Sequence, residues 1–274
     1  MPPTTRSHPI QHSIQIQSLI TQLCAVEFDC SNEERSRHLS HVVSCLADTD
    51  NDVVAIGVSA LFRWVRHVVT SMGQTLWDHD KATLVNKGVV PLLVSMLRRH
   101  TPPTLQTKAA NVLTVLTDPS TKMLIWQVNG VEALVDRDDA ALGSNASQIA
   151  AKIALGKLAL QSRFLQQYIV VAGGIESTVK LLGSDTCLVH LPGLLLALHR
   201  MAHANKEAHR KIRACDGVPV IVSAVNRSNS TRNTFHSAPA CEMLCALARD
   251  HSNHDAIRDA NGIAALVSMT NPLH

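Results

Sequence analysis

Five times along the chain an apolar stretch meets a glycine, which is followed by a β-branched residue and a second apolar stretch. The instances are NKGVVPLLVSML at Gly88, VNGVEALV at Gly130, AGGIESTVKLL at Gly174, CDGVPVIVSAV at Gly217 and ANGIAALVSM at Gly262, spaced 42, 44, 43 and 45 residues apart. A period this regular points to one supersecondary unit stacked on copies of itself. A single unit of that length cannot bury its own apolar face. Each glycine is expected in the left-handed conformation, closing one helix while the next starts at once in a new direction.

After each junction the sequence gives a short apolar helix, a break, and a longer helix. The breaks are RRHTPP (98–103), GSNAS (143–147), GSD (183–185) and NRSNST (226–231). The longer helices close on NVLTVLT (111–117), KIALGKLA (152–159), LLALHRMA (195–202) and EMLCALA (242–248). Ala109, Ala151 and Ala240 are small residues of the kind needed where helices approach closely, and Pro192 and Pro239 suit the first turns of two of the long helices. The chain is 46% hydrophobic but only 3% aromatic, so Leu, Val, Ile and Ala must fill its core. That balance favours helix over sheet.

These junctions, with ANKEAHRKIRACDGVPVIVSAV and HSNHDAIRDANGIAALVSM, resemble the armadillo repeat, whose unit has three helices. The two-helix HEAT unit lacks this glycine junction. The resemblance covers residues 33–274 and implies an all-α, right-handed α-α superhelix of about five repeats. Approximate units are 33–87, 88–129, 130–173, 174–216 and 217–261, with a partial unit at 262–274. In the first unit, 38–46 and 53–65 read as the second and third helices, and 69–80 as an insertion. Residues 1–32 form a tail and an amphipathic capping helix (10–28). At the other end Ile263, Leu266, Val267 and Met269 have no following long helix to cover them.

The resemblance implies that the third helices line a concave groove. Nuclear-import receptors of the family hold extended peptides there with an Asn on each third helix and a Trp one turn earlier. Aligning the long helices by their ends puts the Asn position at Arg63, Val115, Lys157, Arg200 and Ala246, and the earlier position at Ser59, Asn111, Ile153, Leu196 and Glu242. Neither ladder is present. Arg63, Lys157 and Arg200 stand in its place, as in family members whose basic grooves meet acidic ligands. A protein-binding scaffold or adaptor that accepts an acidic or phosphorylated segment is therefore expected, with Arg63, Asn111, Lys157, Arg200 and Glu242 as the groove residues. The alternatives are a structural part of a cytoskeletal or ciliary assembly, and a helical enzyme or regulator with an unrecognised site.

Several other classes fit poorly. With 25 basic and 22 acidic residues the net charge is +3, too small for a nucleic-acid partner. No apolar run approaches the roughly 20 residues of a bilayer span. The start, MPPTTRSHPI, has no signal core, and Pro2 excludes myristoylation. Seven cysteines without paired spacing, among them Cys45, Cys241 and Cys245 in apolar stretches, read as small buried hydrophobes in an intracellular, cytoplasmic protein. His199 and His203 lie four apart, but Arg200 stands where HExxH needs Glu. His251 and His254 sit in a turn, and Asp136, Asp138 and Asp139 lack EF-hand spacing. No metal site, cofactor or catalytic residue is expected, and the oligomeric state is left open.

Overall fold

The structure is a computed structural model that describes residues 31–71, 74–98, 101–135, 145–184, 188–229 and 237–270, together with position 18. Among these residues the chain is helical throughout, with no strand. It begins with α1 (Asn32–Leu46), α2 (Asn51–Ser71), α3 (Gln74–Asn86), α4 (Val89–Arg98) and α5 (Pro103–Leu116). There follow α6 (Lys122–Gln127), α7 (Gly130–Val135), α8 (Asn145–Ala159), α9 (Arg163–Val171), α10 (Gly174–Gly183) and α11 (Leu191–Ala202). The chain ends with α12 (Lys206–Ala214), α13 (Gly217–Asn229), α14 (Ser237–Ala248), α15 (His254–Asp259) and α16 (Gly262–Thr270). The helices cluster into two compact units, one ending at Leu116 and the other starting at Thr117.

The glycine junction works differently from the sequence expectation. Only the first junction glycine, Gly88, is itself left-handed (φ 77°). At the other four the left-handed residue stands one place earlier: Asn129, Gly173, Asp216 and Asn261, with φ of 56°, 91°, 52° and 59°. Aligned on this residue, Val89 takes the place of the later glycines, and Pro91 matches Pro219. The left-handed residue serves both helices. The Asn129 N–H donates to the Trp126 carbonyl at 2.9 Å to close α6, and its own carbonyl accepts from Ala133 N at 3.2 Å to open α7. Asn and Asp reach this conformation at modest cost because their short polar side chains bond locally.

The glycine that follows meets a second demand, which is space. A Cβ built on Gly174 would lie 2.5 Å from Ile169 Cγ2; on Gly217, 2.8 Å from the Ile212 carbonyl oxygen; on Gly262, 2.7 Å from Ile257 Cγ2. In each case the obstacle is an isoleucine five residues earlier, at the end of the preceding short helix. The first junction pairs Val89 with Leu84 instead, both fully buried.

The 69–80 stretch is not an insertion. It falls across the end of α2 and the start of α3, and α3 occupies the place of α6, α9, α12 and α15 ahead of its junction. The extra length lies in the helices themselves, since α2 has 21 residues and α3 has 13 against 9 in α9 and α12. The expected helices at 38–46 and 53–65 are present within α1 and α2. The break at 226–231 begins later than expected, because α13 runs on to Asn229. The capping helix at 10–28 and the acidic cluster at Asp136, Asp138 and Asp139 lie outside the described residues.

In the first unit, α1 opens with a capping box in which Ser31 Oγ accepts from Glu34 N and the Glu34 carboxylate accepts from Ser31 N at 3.1 Å. Leu39, Val43 and Leu46 of α1 are buried, as are Val54, Val58 and Leu61 of α2. A buried ion pair, Arg35 to Asp80 at 4.0 Å, links α1 to α3. Burial pushes the Asp80 carboxyl above its ordinary range despite the nearby guanidinium.

In the second unit the third helices α8 and α11 meet with almost no side chain between them. A Cβ on Gly156 would lie 2.5 Å from Ala197 Cα. Lys152 of α8 is wholly buried, and its Nζ donates to the Val135 carbonyl at 3.0 Å and the Leu134 carbonyl at 3.4 Å, closing α7. On α16, Ile263 and Val267 are 61% and 59% exposed, whereas their counterparts on α13, Val218 and Val222, are 1% and 2% exposed. The cysteine expectation holds for Cys45, which is buried; Cys241 is half-buried and Cys245 exposed on the solvent side of α14.

Candidate functional site

The third helices α8 and α11 of the second unit lead into the next first helix through the same turn. Gln161 and Ala204 take left-handed conformations (φ 59° and 53°). A capping side chain follows. Ser162 Oγ accepts from Leu165 N at 3.4 Å, and Asn205 Oδ1 accepts from Ala208 N at 3.2 Å. Asp118 and Asp250 cap in the same way, accepting from Thr121 N at 2.8 Å and Ser252 N at 3.0 Å. These four caps stand 44, 43 and 45 residues apart, a second periodic mark that the glycine pattern overshadowed. Four residues beyond its cap, Gln166 Nε2 donates to the Arg200 carbonyl at 2.9 Å, and the corresponding Lys122 donates Nζ to the Leu160 carbonyl. The ends of α8 and α11 are thereby tied to α6 and α9. Burial, then the neighbouring Lys157, hold the Lys122 ammonium below its usual pKa.

Two adjoining clefts open along these turns. The first, about 580 Å³, is lined by residues that include Arg163, Gln166, His199, Arg200, His203 and Glu242. The second, about 530 Å³, includes Lys206, His209, Ala246, Arg249, Asp250 and His251. They share His203 and Ala204.

The charged side chains of the lining are mostly cationic. Arg163, Arg200, Lys206 and Arg249 form no ion pair among the described residues. Of the two lining acids, Asp250 is already engaged: Arg213 Nη1 donates to its carboxylate at 2.8 Å. That bond, with the Ser252 N–H, lowers its pKa to about 2. Glu242 is the acid left to face the first cleft. His199 and His209 sit deeper. His199 and His203 stack edge to face at 5.6 Å between ring centroids. Burial lowers the His199 pKa; Glu242 opposes the shift, and His203, Arg200 and Arg249 add to it. His209 is only 8% exposed, and burial again lowers its pKa against the opposing pull of Asp250. Its Nε2 and the His199 Nδ1 are buried without a hydrogen-bond partner.

Of the groove residues expected from the sequence, Arg200 and Glu242 line the first cleft. Lys157 is half-buried on α8, outside both linings, and Ala246 lines the second cleft. Arg63 is exposed on α2 and Asn111 half-buried on α5, both in the first compact unit. Beside them Ser59 Oγ accepts from Lys108 Nζ at 2.7 Å. Arg163, Lys206 and Arg249 were not anticipated, because they stand in the turns and not on the aligned helix faces. The cap spacing marks those turns and could have located them.

Among the described residues, no three His, Cys, Asp or Glu side chains come together as a metal site. No described helix is long and apolar enough to cross a membrane. No protein-family model and no curated protein matches the chain by sequence. Solved structures do match. Computationally designed armadillo repeat proteins for modular peptide recognition align with a TM-score of 0.70 over 88% of this chain and 95% of that one, at 16% identity. The fold is the armadillo repeat. A designed armadillo repeat protein in complex with the peptide (KR)4 aligns at TM-score 0.66 and 20% identity, over 88% and 95% of the two chains. An engineered protein aligns at TM-score 0.74 and 24% identity, over 96% of this chain and 60% of that one. The three-helix armadillo unit accounts for the three helices per repeat seen from α3 onward.

Proposed function

We propose that this armadillo chain is a protein-binding scaffold that holds an acidic segment of another protein along the two clefts of its second unit. The observation that carries this reading is charge: four cations that form no ion pair among the described residues line the clefts, and one of the two lining acids is already neutralised by Arg213. Unpaired guanidinium groups bind carboxylates and phosphates bidentately, and cationic clefts select partners of the opposite sign. One structural neighbour was designed for modular peptide recognition, and another is in complex with the basic peptide (KR)4. The sign of the present clefts points to the opposite ligand. The same reading extends to Arg63 and Asn111 on the third helices α2 and α5 of the first unit, and to Lys157 on α8.

Binding to an array of acidic, phosphorylated, neutral and basic peptides tests the reading, with wild type set against Arg163→Glu/Arg200→Glu. Acidic or phosphorylated peptides should dominate, lose affinity with rising salt, and be lost in the reversal. Preferential capture of basic peptides, or binding indifferent to the reversal, would remove the proposal.

A second reading, a structural part of a larger assembly, draws on the exposed Ile263 and Val267 of α16. Under it, Ile263→Glu/Val267→Glu abolishes incorporation into an insoluble cell fraction while peptide binding in the clefts is kept.

A further inference from the structure

The second cleft has three features that a merely solvated surface does not need. Its floor includes His209, nine-tenths buried, with Nε2 lacking any partner. Its rim carries Lys206 and Arg249, both exposed and in no ion pair. It also receives the first turn of α12, a nine-residue helix whose Asn205 cap satisfies Ala208 N, which leaves the N–H groups nearer the start pointing toward the cleft end of the helix.

We infer that this cleft is a subsite for a single oxyanion of the acidic segment, held by Lys206 and Arg249 at the rim, with the His209 ring as the proton-accepting group at its floor. The inference rests on the acidic-partner reading and adds where one anionic group sits and what its arrival does. The His209 ring donates to the Ala202 carbonyl, so in the neutral ring the other nitrogen carries a bare lone pair. Burial lowers the pKa of the ring in the free protein, which favours its neutral form. An oxyanion entering the cleft offers the missing partner for a protonated Nε2–H, so binding draws a proton onto the ring. Affinity therefore rises as pH falls through the histidine range.

The other charged groups around this ring have defined roles. On α12, Arg213 disfavours protonation, and from the end of α14 Asp250 favours it. Lys206 and Arg249 line the same cleft, and a nearby positive charge acts in the same direction as Arg213. His203 and His251 complete the lining. Asp250, bound to Arg213, is ionised throughout the histidine range and does not contribute a pH dependence of its own.

The test uses the full chain with fluorescein-labelled octaglutamate, and a second peptide bearing phosphoserine, in anisotropy titrations between about pH 8 and pH 5.5. Lys206→Glu and Arg249→Glu are surface substitutions that leave the core untouched. Each is expected to weaken octaglutamate about tenfold. His209→Gln keeps a side chain able to hydrogen-bond the carbonyl but cannot titrate. It should flatten the pH dependence of affinity by close to one proton. Should His209→Gln fail to fold by circular dichroism, proton uptake decides the question: calorimetry of the wild type in buffers of different ionisation heat reads it directly, and no uptake below pH 7 overturns the role of His209. Loss of binding in Arg163→Glu/Arg200→Glu with none in Lys206→Glu and Arg249→Glu overturns the subsite and leaves the acidic-partner reading standing. No binding of either peptide to wild type overturns both. Tighter binding of the phosphoserine peptide than of octaglutamate, with the same variants sensitive, identifies the oxyanion as a phosphate ester; the reverse order identifies a carboxylate.

Discussion

Alanine at position 156 should destabilise the protein, although alanine is the better helix former. In an exposed helix, Gly→Ala is worth about 0.5–1 kcal/mol in favour of alanine. In α8 the added Cβ would lie 2.5 Å from Ala197 Cα, 2.6 Å from Ala197 Cβ and 3.2 Å from the Ala197 carbonyl oxygen. Carbon atoms need roughly 3.5–4.0 Å, so α8 and α11 would have to part by about an ångström. Gly193, one turn before Ala197, faces Ile153, one turn before Gly156, with an added Cβ 3.1 Å from Ile153 Cδ1. A rigid shift of α11 would therefore loosen that contact as well. Overpacking of this kind costs about 1–3 kcal/mol. Set against the propensity gain, a net loss of about 1–2 kcal/mol remains. Urea unfolding followed by far-UV circular dichroism measures it. With a slope near 2–3 kcal/mol/M, the midpoint should fall by about 0.5 M. Adding Ala197→Gly should recover only part of the loss, because the Ala197 backbone stays in the way. A midpoint equal to or above wild type for Gly156→Ala would show that the two helices are free to part, and the packing argument would fail.

The junctions give a pair of opposite expectations. Gly174→Ala drives a Cβ into Ile169 and should lower stability by about 1–3 kcal/mol, whereas Asp216→Gly relieves a left-handed aspartate and should raise it by up to about 1 kcal/mol, both read from thermal midpoints. Lys152→Met removes the donor to the Leu134 and Val135 carbonyls without changing volume much. It should cost about 1–3 kcal/mol in chemical denaturation, and a stabilised Met variant would mean that water or another group already serves those carbonyls. Stability should also depend on pH. His199 and His209 have folded pKa values below the ordinary 6.5, so the unfolded chain binds protons first. Their contribution is complete above that value and is lost as pH falls through it toward the lowered folded values, which a series of urea midpoints from neutral to mildly acid pH would follow.

How much of this could be read from the sequence depends on how local each cause is. The repeat was legible because four of the five junctions place a glycine directly after the left-handed residue and the first places one at it. The role of the glycine was misread, since the left-handed position and the space-limited position are adjacent and only the second excludes a side chain. Asn129, Asp216 and Asn261 carry the first role, and no spacing rule separates them from the glycines beside them. The 69–80 stretch looked like an insertion because α2 and α3 are long, and length alone does not reveal where one helix hands over to the next. Gly156 gave no signal, because the residue it must clear, Ala197, lies 41 positions further on. Arg200 and Glu242 could be placed by aligning helix ends. Lys206 and Arg249 could not, since the alignment stopped where the helices did.

The turns that line the clefts are held from both sides, by the Ser162 and Asn205 caps and by the reach of Gln166 to the Arg200 carbonyl. A segment arriving there meets backbone that is already ordered. The conformational entropy lost on association then belongs almost entirely to the incoming chain. Affinity in such a site is best raised by stiffening the ligand: a proline or a cyclised acidic peptide should gain where further rigidity in the scaffold would not.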